Sequence, residues 1–256
     1  MTATQVGRDE NPLATLFPAG TGVSHLAVYD WSSPDGLRGG SAHVHLACTE
    51  GYIVVGGRGR LQTLGRDGYA ETPLTPLTVA WFSPGVVHRL VNEKDLQIVV
   101  VMQNSGLPEA GDCVLTFPPN RLDDPESYRR EMSLADGERV YASSGEAAEH
   151  RKNLAVEGFL ALRERFETDG PSALEEFYAA ATALTRAKLP AWRETWEAGP
   201  LAAANRTGEH LSAMNRGEYG HLHQGRLTVL EPPSERKYGM CGNLATYEAS
   251  RVAPRQ

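Results

Sequence analysis

Three histidines and one glutamate in the N-terminal half have the types and the spacing of metal ligands. His43 and His45 are two positions apart, so on a β-strand both imidazoles point to the same face. Glu50 opens the next predicted strand, and His88 follows the Pro84-Gly85 turn. Three imidazoles and one carboxylate are a ligand set that borderline divalent metals favour. The sequence therefore predicts one divalent ion, which could be Fe, Mn, Ni, Co or Zn, with coordination positions left for a substrate.

The elements that must position these residues are short strands. Before residue 120 the chain has segments rich in Val, Ile, Leu and aromatic residues, broken by turns that contain Gly and Pro. The predicted strands are residues 23–31, 51–56, 59–64, 77–83 and 96–103. Short strands at such spacing, with no helical pattern between them, predict an antiparallel sandwich or barrel.

After residue 120 the pattern becomes helical. Asp123-Asp124-Pro125 is a good helix start, with Asp as the cap and Pro in the first turn. Further helices are predicted over residues 146–167, after Ser172, and around residues 192–196 and 201–214. Two late strands, residues 225–230 and 242–248, follow near the end of the chain. They could pair with the N-terminal barrel or form a hairpin of the helical part, and the sequence leaves both options open.

Two stretches closely resemble the signature motifs of the cupin superfamily. His43-Val44-His45, Glu50 and Gly57 match the first motif, and Pro84-Gly85, His88 and Asn92 match the compact form of the second. The adjacent Pro and Gly are a departure that could shift His88 slightly. The resemblance covers roughly residues 22–105. It implies metal ligation by His43, His45, Glu50 and His88, and a mostly structural role for Asn92.

The predicted fold class is mainly β in the N-terminal half, where the resemblance implies a double-stranded β-helix or jelly-roll barrel. The C-terminal region is predicted to be α-helical with two late strands. We expect three regions. Residues 15–120 form the barrel with the metal site, and residues 121–220 form a helical insertion, lid or dimerisation element. Residues 221–256 form terminal strands that could pack on the barrel.

The metal site predicts an enzyme that acts on a small organic substrate, with a dioxygenase-type oxidoreductase preferred because the predicted strands offer few extra ionisable groups. A metal-dependent isomerase or lyase, and a barrel that binds a small ligand without catalysis, stay open as alternatives. Glu50 could also act as the catalytic base if it leaves the metal. Each of the other pocket candidates could either pack in the core or contact the substrate. The candidate substrate-binding residues are His25, Tyr29, Tyr52, Trp81 and Gln103.

Composition limits the other partners. The net charge of −7 and the scattered Lys and Arg argue against nucleic acid. No apolar stretch is long enough for a membrane span and the start does not resemble a signal peptide, so we expect a cytoplasmic location. Cys48, Cys113 and Cys241 form no metal or disulfide pattern. His221 and His223 repeat the two-residue spacing, but a solvated loop pair is favoured over a second metal site. A homodimer is implied by the cupin resemblance.

Overall fold

The computed structural model describes residues 17–134, 143–231 and 233–247, and this part of the chain contains nine strands and six α-helices. The strands are β1 (Gly22–Val28), β2 (His43–His45), β3 (Glu50–Gly65), β4 (Gly68–Leu74), β5 (Val79–Phe82), β6 (Val87–Met102), β7 (Cys113–Leu115), β8 (Lys237–Tyr238) and β9 (Gly242–Thr246). The helices are α1 (Pro119–Leu122), α2 (Pro125–Met132), α3 (Ser144–Asp169), α4 (Ser172–Thr185), α5 (Leu189–Trp196) and α6 (Ala202–Asn215).

Two long strands, β3 and β6, pair antiparallel along their whole length and belong to two layers at once. The start of β3 pairs with the end of β6 and with β5, and β1, β9 and β8 continue this layer, which we call the β1 layer. The end of β3 pairs with the start of β6 and with β4, and β2 and β7 continue this second layer, the β2 layer. The fold is therefore an antiparallel β-barrel whose two layers share their longest strands.

The bend between the layers lies where the register of β3 and β6 shifts, between Val54 and Gly59. Gly57 has a φ of 72°, and a Cβ at this position would lie 2.1 Å from the carbonyl oxygen of Asp95. Only glycine fits here without strain. The motif glycine is thus required by the corner of the barrel and not by the ligand site.

Asn92 ties the same corner together. Its side-chain amide donates a hydrogen bond to the carbonyl oxygen of Val28 at 3.0 Å, and its oxygen accepts one from the backbone N–H of Leu96 at 3.1 Å. The residue is buried, so both of its polar groups need such partners. This agrees with the structural role that the motif implies.

The barrel has two apolar cores, one on each side of the β2 layer. Strand β6 alternates between them: His88 and Leu90 point into the barrel, whereas Val87 packs toward the helices. Between the layers, the buried interior consists of Leu26, Val28, Tyr52, Val54, Leu61, Leu74, Phe82, Leu90, Leu96, Ile98, Val100 and Cys241. Burial of both faces of this layer explains why the strand reads as a nearly continuous apolar run.

Helices α3 and α4 cover the outer face of the β2 layer. Phe159 of α3 and Phe177 of α4 pack against it. Gly158 allows a close approach, because a Cβ there would lie 1.8 Å from the carbonyl oxygen of Thr116. The amphipathic stripes of these two helices are therefore buried within the chain.

Helices α2 to α6 lie where the sequence predicts helices, whereas the short helix α1 was not predicted. The Asp124 side chain caps α2 by accepting hydrogen bonds from the N–H groups of Glu126 and Ser127, and Pro125 is the first helical residue. The predicted helices at 146–167, after Ser172, and around 192–196 and 201–214 correspond to α3 to α6. None of the helices in the described part of the chain has the length and apolarity that a membrane span requires.

Three strand predictions need correction. Residues 51–56 and 59–64 belong to one continuous bent strand, and β4 was not predicted because its exposed residues show little apolar alternation. Residues 225–230 form no strand: they are mostly exposed, and the free edge of β1 is already paired with β9. The predicted strand 242–248 is β9, with Glu248 outside the described residues. Residues 15–16, 232 and 249–256 of the predicted regions also lie outside them.

Candidate metal centre

The structure brings the four predicted ligands together at one buried point. Strand β2 places His43 and His45 on its inner face, and His88 of β6 lies directly opposite His43 in the register. Glu50 starts β3 in the other layer and reaches the same point across the barrel. All four side chains are buried, and one ligand atom from each lies within 4.8 Å of all the others. This is the size of the first shell around a single ion.

The hydrogen bonds of the three imidazoles leave the same nitrogen free on each ring. Nδ1 of His43 lies 3.2 Å from the carbonyl oxygen of Ser41, and Nδ1 of His88 lies 3.0 Å from that of Val86. A carbonyl oxygen can only accept, so both Nδ1 atoms carry a hydrogen and donate it. In the neutral rings, the Nε2 lone pairs then point toward the centre of the cluster, as metal ligation requires.

These inward-facing atoms approach each other closely. Nε2 of His43 lies 3.0 Å from Nε2 of His88, and Oε2 of Glu50 lies 3.1 Å from Nε2 of His88 and 3.3 Å from Nε2 of His45. The approach to Oε2 is poorly aligned, so this buried oxygen accepts no hydrogen bond among the described residues. Converging lone pairs and an unpartnered carboxylate oxygen repel one another unless a cation lies between them. The residues therefore fit a metal ion.

The protonation of the cluster points the same way. Burial by itself would raise the pKa of Glu50, but its contacts with His45 and His88 outweigh burial and hold that pKa well below its usual range. Burial, with His88 and His45 nearby, lowers the pKa of His43 well below the ordinary value. Burial opposes the charge on His45 too, yet the hydrogen bond to Asp112 and the nearby Glu50 carboxylate raise its pKa to about 9. The Asp112 and Glu50 carboxylates on either side of His45 thus favour a positive charge at this point of the cluster.

Asp112 is the functional residue that the sequence did not reveal. It is fully buried, and its Oδ2 lies 3.0 Å from Nδ1 of His45. Its Oδ1 accepts hydrogen bonds from the backbone N–H groups of Leu46 and Ala47, at 3.2 and 2.7 Å. Such a carboxylate behind a ligating imidazole fixes the ring and its tautomer. Asp112 ends a single π-helical turn (Pro108–Asp112), and nothing in its sequence neighbourhood marks it.

His43, His45 and Glu50 of the cluster line a cavity of about 510 Å³ between the layers, whereas the fully buried His88 is not part of its lining. Apolar and small side chains make up most of the lining, and no Lys or Arg is present among the lining residues that the structure describes. The cavity is lined by Phe17, Thr21, Gly22, Val23, Ser24, Leu26, His43, His45, Glu50, Tyr52, Val100, Met102, Ser105, Gly106, Pro108, Glu109, Cys113, Leu230, Gly239, Met240, Cys241, Leu244, Thr246 and Tyr247. A cavity of this size suits a small organic molecule.

Of the five predicted substrate-binding residues, Tyr52 lines the cavity. It shares the inner face of β3 with Glu50, and its buried hydroxyl has no hydrogen-bond partner among the described residues. Burial and the neighbouring Glu50 raise the pKa of Tyr52 well above its ordinary value. The phenol therefore stays protonated and is free to donate a hydrogen bond into the cavity.

The other four lie away from the cavity lining. His25 and Trp81 are on the outer face of the β1 layer, where Nδ1 of His25 contacts Arg236 at 2.9 Å and Trp81 is 73% exposed. Tyr29 is buried but donates its hydroxyl hydrogen to Gly239. Gln103 lies past the end of β6 and accepts a hydrogen bond from a loop N–H. The strand period puts His25 and Trp81 on the outward side, which the sequence reading did not resolve.

The second histidine pair does not form a comparable site. His221 and His223 lie on a short 3-10 turn (Gly220–Gln224), and the His221 ring stacks on that of His210 at 4.3 Å. In residues 17–134, 143–231 and 233–247, only the cluster of four brings three or more potential ligands within reach of one ion.

Comparisons with known proteins find matches among solved structures alone, since no family model and no curated protein matches the sequence. The capsular polysaccharide assembling protein CapF from Staphylococcus aureus is 20% identical, with a TM-score of 0.26, over 39% of this chain and 24% of that one. A conserved protein with a double-stranded β-helix domain from Klebsiella pneumoniae is 20% identical, with a TM-score of 0.27, over 36% and 75%. WlaRA, a TDP-fucose-3,4-ketoisomerase from Campylobacter jejuni, is 12% identical, with a TM-score of 0.29, over 35% and 64%. The chain thus spans less than two thirds of CapF and of WlaRA.

The fold and the site carry the assignment themselves. The two layers share their long strands, Gly57 and Asn92 form the corner, and the ligands of both motifs meet inside the barrel. The antiparallel barrel and its buried cluster of His43, His45, Glu50 and His88 are the arrangement that the cupin resemblance implies for the N-terminal half of this chain.

Proposed function

We propose that this chain is a metal-dependent enzyme that acts on a small, largely apolar organic substrate, and that it is a dioxygenase. The observation that carries the proposal is the convergence of three imidazoles and one carboxylate at one buried point, with His43, His45 and Glu50 lining a largely apolar cavity. A bound redox-active metal would supply activation of dioxygen, and any bound divalent metal could polarise a substrate oxygen. His43, His45, His88 and Glu50 would hold the ion.

The apolar lining supports the oxygenase reading. Leu26, Val100, Met102 and Leu244 surround the space in front of the ligand cluster, so a substrate bound there displaces water from the reacting centre. Exclusion of water protects reactive species from side reactions. Tyr52 would orient the substrate by donating a hydrogen bond from its phenol.

Tyr52 also favours a second candidate, a metal-dependent isomerase or lyase. Its protonated, unpartnered hydroxyl shares the cavity with Glu50, so an acid and a carboxylate face the same substrate. In this reading Tyr52 donates its phenol proton to a developing oxyanion. Glu50 accepts a proton from the substrate carbon when it is not bound to the ion.

Metal analysis is the first test. Full-length protein purified without chelator should contain about one equivalent of a divalent transition metal, and His88→Ala should contain little. Wild-type protein with less than about a tenth of an equivalent, and with no uptake on reconstitution, would refute the proposal.

Oxygen consumption then separates the candidates. Iron-loaded protein should consume oxygen in the presence of a turned-over substrate from a panel of small aromatic and aliphatic compounds, both uncharged and cationic. Turnover that proceeds equally well without oxygen would favour the isomerase or lyase. A thermal shift on ligand addition, without turnover under either condition, would make the barrel a binding protein.

We also propose that the chain forms a homodimer through the outer face of the β1 layer. No helix covers this face in the described part of the chain, and paired residues of β3, β5 and β6 place apolar side chains side by side. Exposed fractions are 73% for Trp81, 60% for Val79, 50% for Val55 and 37% for Ile53. This apolar patch of neighbouring side chains exceeds a scatter of single exposed residues, and the same patch on a second copy matches it in polarity.

Sedimentation equilibrium tests the dimer at micromolar concentration. Wild-type protein should sediment as a dimer and Trp81→Lys as a monomer. Leu211→Lys, which changes an exposed leucine on α6, should stay dimeric. A monomeric wild type, or a dimeric Trp81→Lys, would overturn this interface. The cytoplasmic location stays a prediction from the sequence.

A further inference from the structure

The two ends of the cavity differ in burial and in charge. The inner end holds the buried ligand cluster, whereas Glu109, which also lines the cavity, is exposed and therefore lies at its mouth. Oε2 of Glu109 accepts a hydrogen bond from the backbone N–H of Gly106 at 2.8 Å. Oε1 lies over β1, 3.9 Å from where a Cβ on Gly22 would stand. One oxygen is thus anchored and the carboxylate is held in the mouth.

Within the described part of the chain, this carboxylate has no Lys or Arg ion-pair partner. Lys and Arg are missing from the described lining of the cavity, and Glu109 forms no ion pair with any residue in the described ranges. Glu50 at the inner end would be neutralised by a bound metal, but Glu109 at the mouth would not. A negative charge of fixed position in a largely apolar cavity attracts a cationic ligand group and repels an anionic one.

Aromatic residues at the same cavity add a second feature. Phe17 is 41% exposed and Tyr247 is partly exposed, so both rings belong to the outer part of the lining. The faces of aromatic rings attract cations, and quaternary ammonium groups in particular, because the charge need not be fully desolvated. A carboxylate together with aromatic rings is the chemistry of a site for an organic cation.

We propose that Glu109 selects substrates with a cationic group, such as a substituted ammonium, which binds at the mouth while an oxygen at the other end of the substrate faces the ligand cluster. The preference for a cationic ligand depends only on the residues that line the cavity. The assignment of the bound molecule as a substrate rests on the proposed enzymatic function.

Glu109 also accepts the hydrogen bond from the backbone N–H of Gly106, so its charge must be separated from this structural role. Glu109→Gln makes this separation, because the glutamine oxygen can still accept the Gly106 hydrogen bond while the negative charge is removed. The variant should therefore fold like the wild type, and any change in ligand preference reports on the charge.

Isothermal titration of the full-length protein with choline and with 3,3-dimethylbutan-1-ol, its uncharged isostere, tests the proposal. Choline should bind the wild type roughly fivefold more tightly than the alcohol, which is the effect of one partly exposed ion pair. The ratio should fall to about one in Glu109→Gln. Glu175→Gln, an exposed glutamate on α4, should keep the wild-type ratio. The isosteric anion, 3,3-dimethylbutanoate, should bind metal-free protein most weakly.

Equal affinities for choline and the alcohol in the wild type, an unchanged ratio in Glu109→Gln, or no binding of any of the three probes would overturn the proposal. The titrations are run on metal-free and zinc-loaded protein, with metal content measured on the same samples. A protein that takes up no metal but keeps the charge preference would refute the proposed enzymatic function and leave the role of Glu109 standing.

Discussion

The tautomer of His45 should depend on Asp112, and Asp112→Asn tests this. Oδ1 of Asp112 accepts two backbone N–H groups, while Oδ2 faces Nδ1 of His45. An asparagine must keep its oxygen toward the two backbone donors, so its amide N–H would point at Nδ1 of His45. That nitrogen would then have to accept, which moves the imidazole proton to Nε2, the atom that faces the other ligands.

The size of the effect follows from what is lost. Removing the partner behind a ligating histidine typically weakens metal binding by about 10- to 100-fold, or about 1.4–2.8 kcal/mol. We expect the upper end of this range, because the substitution reverses the tautomer and does not merely loosen the ring. The free energy of unfolding of the metal-free protein should change by only about 1 kcal/mol, since the number of hydrogen bonds is kept.

The assay is a zinc titration of metal-free, full-length protein in competition with a chromophoric chelator. Asp67→Asn, in the exposed turn between β3 and β4, is the matched control and should bind zinc like the wild type. Long-range ¹H–¹⁵N spectra of the imidazoles report the tautomer directly. Zinc affinity of Asp112→Asn within about twofold of wild type, or an unprotonated Nε2 on His45 in this variant, would refute the reasoning.

Three further outcomes are expected. Gly158→Ala should lower the free energy of unfolding by about 3 kcal/mol in urea titrations, because the added Cβ meets the carbonyl oxygen of Thr116. Gly208→Ala, in open space on α6, should raise it by about 0.5–1 kcal/mol. Equal effects of the two substitutions would contradict the packing of α3. Burial lowers the pKa of Lys152 to about 8, so the folded protein loses this proton at a lower pH than the unfolded chain does. The free energy of unfolding of the wild type, relative to that of Lys152→Met, should therefore rise by roughly 1–2 kcal/mol from pH 7.5 to 9.5. A difference that does not change with pH would contradict this. Tyr52→Phe should keep its bound metal, and its free energy of unfolding should stay within about 1 kcal/mol of the wild type. Its turnover should be about 100-fold lower if the phenol is the proton donor. Unchanged turnover would remove Tyr52 from the mechanism.

The ligand set was predictable because its signals are local. The two-residue spacing of His43 and His45 places both rings on one face of any strand, and the Pro84-Gly85 turn puts His88 at the start of another. The caps of α2 and the turn that ends α3 are also encoded by neighbouring residues, and these helices begin and end close to the predicted positions. Such local patterns predict which segments form strands in the N-terminal half and which form helices in the C-terminal half.

Contacts between distant segments could not be predicted. Residues 225–230 have the composition of a strand, but a strand needs a free edge, and β9 already pairs with β1. His25 and Trp81 have suitable side chains for a pocket, but the register turns both outward. One residue of register decides this, and no local signal specifies it for these strands.

The sequence by itself predicted the four residues of the buried cluster and the antiparallel strands that carry them, because strand periodicity, turns and the two motifs are local signals. Only the tertiary structure decided the rest of the centre. It placed Asp112 behind His45, directed the Tyr52 hydroxyl into the cavity and held Glu109 at its mouth. These residues are far apart in the chain or unmarked in it, and their roles arise from burial and distance, which exist only once the layers have packed together.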